Sequence, residues 1–115
     1  MMERRTFVYD ENLDRLVVFN TLDKDDKIYG SVNIFNLVID FTTRNKIANI
    51  EIMNVSEYLQ SLNINPNILQ RLDESQIILK QMRGGFLLTV LLRYDNKSVT
   101  VPFSLPAEDK AVITV

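Results

Sequence analysis

The chain of 115 residues contains no cysteine, no histidine and no tryptophan. Lack of cysteine excludes disulfides, thiol nucleophiles and thiolate metal sites. Lack of histidine excludes imidazole-based triads and dyads and the His/Cys zinc sites. Glycine and proline are scarce too, three of each, so the chain is neither collagenous nor low in complexity. No apolar run is long enough to cross a bilayer as a helix; the stretch over residues 86–92 suits a buried strand instead. The opening Met1-Met2-Glu3-Arg4-Arg5-Thr6 lacks the apolar core of a signal peptide. The expectation is a cytoplasmic protein with no membrane association.

What is present fits one globular domain over residues 1–115. Apolar residues make up 46% and charged residues 24%, and a chain of this length buries about two thirds of its unfolded surface. Thirteen basic and fifteen acidic side chains leave a net charge of −2. The basic residues are scattered, with Arg4-Arg5 the only adjacent pair, which disfavours nucleic acid as a partner.

Hydropathy alternates with a period of two over much of the chain, the mark of half-buried strands. Residues 6–9 and 15–19 read as a hairpin around Asp10-Glu11-Asn12-Leu13-Asp14. Residues 23–27 form the next turn, and 28–34 a third strand with Gly30 as a bulge point. Phe35, Leu37, Ile39 and Phe41 then alternate with Asn36, Val38 and Asp40, and residues 46–53 alternate again after a loop at 42–45. That register sets Phe41 opposite Lys46, Ile39 opposite Ala48, Leu37 opposite Ile50 and Phe35 opposite Ile52. Asp40 falls opposite Ile47 on the outer face. Asn54 with Glu57 reads as a capping pair for a helix whose Val55, Tyr58, Leu59 and Leu62 share one face. Asn65-Pro66 starts a short second helix that buries Ile68, Leu69 and Leu72.

Strands return at 76–82 and 86–94, separated by Arg83-Gly84-Gly85. The second is apolar on both faces and is expected in the centre of a sheet, covered on both sides. After Asp95-Asn96-Lys97, Val99, Val101 and Phe103 form another apolar face, with Pro102 favouring an edge or bulge position. A loop at 106–110 and a last strand at 111–115 complete the expected elements. The fold class is therefore α+β, a predominantly antiparallel sheet with one amphipathic helix and one short helix between two strand-rich halves.

Two stretches carry a family resemblance. Tyr9-Asp10-Glu11-Asn12-Leu13-Asp14-Arg15-Leu16-Val17-Val18 is similar to a YDxExDxLYI pattern. Val38-Ile39-Asp40-Phe41, with residues 46–56 beyond it, is similar to VxDYDxxGxVVGIEILxAS. Both patterns belong to a family of small prokaryotic domains of unknown function. Residues 7–59 resemble that family as a divergent relative, and residues 60–115 extend beyond it. Asn45 and Asn49 stand where the family has glycine. The resemblance implies a hairpin series followed by a helix. It also implies a link to partners of small toxins, the setting of some members.

Without histidine or cysteine, chemistry would rest on carboxylates. Asp10, Asp14, Asp40 and Glu51 are the acidic positions within the matched motifs, and oxygen ligands of this kind hold hard cations. Turn chemistry and a solvated sheet face account for the same residues. The stretch Asp23-Lys24-Asp25-Asp26-Lys27 does not make a calcium loop, because Lys27, Ile28 and Ile34 occupy positions 5, 6 and 12. Arg83-Gly84-Gly85 leads into a strand rather than a helix, so it is a hairpin turn and not a phosphate loop. Tyr29 and Tyr94 are candidates for an interface, and a place in the core fits either of them equally. No cofactor motif is present, and no catalytic residue is assigned. The functional expectation is a non-catalytic protein-interaction module that associates with itself or another protein. The alternatives are a carboxylate-based metal-dependent enzyme or binder and an antitoxin-like regulatory partner.

Overall fold

In the computed structural model, residues 6–22, 24–44 and 46–106 are described. Among the described residues strand outweighs helix, 61% to 13%, and the class is α+β with antiparallel pairing throughout. The elements in order are β1 (Phe7–Asp10), β2 (Arg15–Phe19), β3 (Ile28–Ile34), β4 (Leu37–Thr42), β5 (Ile47–Met53), α1 (Val55–Ser61), a 3₁₀ helix (Pro66–Arg71), β6 (Leu72–Met82), β7 (Gly85–Tyr94) and β8 (Lys97–Pro106). They build a five-stranded sheet of order β1-β2-β5-β4-β3 and a three-stranded sheet of order β6-β7-β8. The expected last strand at 111–115 and the loop at 107–110 lie outside the described residues.

One apolar cluster joins the two sheets. Leu16, Val18, Leu37, Ile39, Ile50 and Ile52 from the first sheet meet Val55 and Leu59 of α1, and Leu88, Val90, Leu92 and Val101 of the second. Polar links fix the arrangement. The Ser75 amide donates to Thr6 Oγ1 at 3.0 Å, and Ser75 Oγ donates to the Thr6 carbonyl at 3.0 Å. Tyr58 of α1 donates its hydroxyl to the Pro102 carbonyl at 2.6 Å and stacks on Phe103 with ring centroids 4.7 Å apart.

Several expectations are corrected. The β4–β5 register is Leu37 opposite Ile52, Ile39 opposite Ile50 and Asp40 opposite Asn49, two residues away from the expected one. A slip of two preserves the faces, which is why the alternation alone did not reveal it. A bulge then brings Phe41 opposite Ile47. Through it Ile47, Ala48, Ile50 and Ile52 are all fully buried, whereas strict alternation would leave Ile47 facing water.

Phe35 is not a strand residue. With Asn36 it forms the β3–β4 turn, and its φ is +53°. β6 begins at Leu72 and not at residue 76, so Leu72 leaves the short helix for the sheet. The central strand β7 is covered on one face only among the described residues. Phe86, Leu88, Val90 and Leu92 are buried, while Leu87, Thr89 and Leu91 are half-buried. Other expectations hold: the bulge beside Gly30, the edge position of the Pro102 strand, and turns at Gly84 (φ +82°) and Asp95-Asn96 (φ +47° and +61°).

Candidate functional site

The four carboxylates singled out in the sequence each serve a structural partner. Asp10 accepts the Leu13 amide at 3.2 Å and closes the β1–β2 turn. Asp14 caps α1. Its carboxylate accepts the Ser56 amide at 3.1 and 3.2 Å and the Ser56 hydroxyl at 2.6 Å, and its carbonyl accepts the Val55 amide at 3.1 Å. The expected capping pair Asn54–Glu57 is not formed. Asn54 has φ +51° and makes no side-chain cap bond, because a left-handed residue lacks the extended backbone from which an N-cap side chain reaches the helix amides.

Asp40 accepts from the Ser31 hydroxyl and from Asn49 Nδ2, the latter at 2.8 Å, linking β3, β4 and β5 across the outer face. Glu51 lies 3.9 Å from Arg15 on that same face. The structure does not gather these four into one centre. Among the described residues no group of three or more His, Cys, Asp or Glu side chains could hold a metal ion.

Tyr9 donates to Asp14 at 3.3 Å. Its ionisation is pushed above the ordinary tyrosine value by burial first, then by the Asp14 charge and that hydrogen bond. Burial pushes Tyr58 the same way.

The exposed edge of the first sheet is a different kind of feature. Among the described residues no strand pairs with the far side of β3. Natural edges are blunted by charge, proline or shortness. β1 has four residues. β6 carries Asp73, Glu74 and Lys80, and β8 carries Lys97, Pro102 and Pro106. β3 has seven residues, Ile-Tyr-Gly-Ser-Val-Asn-Ile, with no charge and no proline, and its one interruption is the bulge between Ile28 and Gly30.

Large apolar side chains stand open along it. Ile28 is 52% exposed, Tyr29 65%, Val32 42% and Phe35, at its tip, 89%. The start of the strand is held in place: Asp26, with its side chain fully buried, lies 3.5 Å from Arg44 Nε, and the Thr43 amide donates to the Lys27 carbonyl at 2.9 Å. Of the two tyrosines suggested for an interface, Tyr29 is exposed here. Tyr94 is half-buried, with the Arg71 guanidinium 5.7 Å from its ring centre.

Sequence reasoning placed Phe35 on the inner face and so missed the tip of this edge. The signal was in the parity of the strands. Across the β3–β4 hairpin the residues sharing the inner face are even in β3 and odd in β4: Val32 lies opposite Ile39 and Ile34 opposite Leu37. An antiparallel reversal with that change of parity needs two turn residues, and Phe35-Asn36 are the only two available.

No family model matches the chain, and neither a curated protein nor a solved structure does.

Proposed function

We propose that the chain is a non-catalytic protein-interaction module that associates with itself. The β3 edge, open among the described residues, carries this reading: a strand of seven uncharged residues with the exposed Tyr29 near its start and the exposed Phe35 just past its end. Such an edge presents a row of free amide and carbonyl groups, a template for strand addition. The other three edges have shortness, charge or proline against that use. Residues 7–59 resemble small prokaryotic domains of unknown function, some of which look like partners of small toxins, and a binding role is in keeping with that resemblance.

Equilibrium sedimentation tests it. The wild-type chain should move with concentration from 13.3 kDa toward twice that mass. Val32→Lys places a charge on the edge in the way natural edges are blunted, and should hold the protein as a monomer with an unchanged circular dichroism spectrum. A wild-type chain that stays monomeric at every concentration would overturn the reading.

A further inference from the structure

We infer that two copies pair β3 against β3 in antiparallel fashion about a two-fold axis at Val32, making one continuous ten-stranded sheet. This rests on the self-association proposed above and specifies its geometry. The hydrogen-bond pattern selects the register. The Met53 amide donates to the Asn36 carbonyl at 2.8 Å, so position 36 faces β5. Along a strand the backbone groups alternate in direction, hence Leu37 and Ile39 face β3. Their partners Ile34 and Val32 face β4 in turn, and Ser31 and Asn33 are left with amide and carbonyl groups toward the open edge.

Ser31 and Asn33 are symmetric about Val32. So is the regular part of the strand, Gly30 to Ile34, which begins where the bulge ends and stops where the turn starts. An axis at Val32 therefore uses the whole regular stretch. Each Ser31 exchanges two hydrogen bonds with the other copy's Asn33, Gly30 lies opposite Ile34, and Val32 meets Val32. The same count sets Tyr29 of each copy opposite Phe35 of the other. The bulge residue and the turn residue, the two most exposed side chains of this edge, become two aromatic pairs closing the ends.

Charge and area both suit a second copy as the occupant. Like-with-like pairing sets any charge near its own image, and β3 carries none. With Phe35 89% and Tyr29 65% exposed, and about 200 Å² to a whole aromatic side chain, the two offer roughly 300 Å² per copy. Both copies together supply roughly 600 Å², and Ile28, Val32 and two lengths of strand backbone bring this to about the 1,000 Å² of a specific interface.

Because the chain has no cysteine, single-cysteine variants report on this register directly. Residues facing each other in a non-hydrogen-bonded antiparallel pair lie about 4.5 Å apart at Cα, within disulfide range. Under a glutathione redox buffer, Val32→Cys should form a covalent dimer far faster than Ser31→Cys, Asn33→Cys or the distant, exposed Ser98→Cys. Sedimentation of the wild type is run alongside. A dimer in sedimentation whose Val32→Cys variant crosslinks no faster than Ser98→Cys would overturn the β3 two-fold and leave self-association standing. A monomer in sedimentation with equally slow crosslinking at all four positions would overturn both. A monomer that binds an extended segment of another protein at β3 would overturn the second copy as occupant.

Discussion

Asp14 holds the two ends of a long loop in sequence together. Its φ is +49° at the end of the β1–β2 turn, and from there it receives the amides of Val55 and Ser56 and the hydroxyls of Ser56 and Tyr9. Asp14→Ala should destabilise the chain by about 1–2 kcal/mol in urea denaturation, the worth of a helix cap. Asp10→Ala removes one exposed turn bond and should stay within about 0.5 kcal/mol. The tyrosines make a prediction in pH. Tyr9 and Tyr58 ionise higher in the folded chain than their ordinary value, so above about pH 10 the unfolded state binds fewer protons and stability falls as pH rises. Their contribution is whole below that pH and is lost through the raised folded values. Denaturation across alkaline pH should show a shallower decline for Tyr9→Phe than for the wild type.

Among the elements, the β3–β4 hairpin is under the most evident tension. A phenylalanine at φ +53° occupies a conformation that costs an L-residue about 1–2 kcal/mol, and it stands 89% exposed among the described residues. Phe35→Gly should raise stability by about 0.5–1 kcal/mol in urea while weakening self-association in sedimentation. Stability and association moving in opposite directions would mark the residue as kept for contact.

The strands and their faces were legible because a period of two survives any even slip. The register was not, since it turns on a bulge that buries Ile47. The helix was legible from Val55, Tyr58, Leu59 and Leu62. Its cap was not, because Asp14 and Ser56 are 42 residues apart. The edge itself was hidden for a related reason. Nothing local in residues 28–34 says that β2, and not another strand, takes the open side of β5.

At the scale of the whole molecule, pairing between copies links stability to concentration. A folded dimer that dissociates on unfolding melts higher as protein is added, so the wild-type midpoint should climb with concentration in calorimetry. That of Val32→Lys should stay flat.

The strand order also sets a sequence of events in time. Five hairpins close between neighbours in the chain, but β2 must wait for β5, and Thr6 for Ser75. A growing chain therefore carries its first hairpin undocked until residue 53 has been made. The inner face of the first sheet is covered only in part by α1 until β7 has been made. β3 and β4 can close on each other long before that, so the edge proposed to recognise a second copy is complete while the rest of the domain is still being assembled.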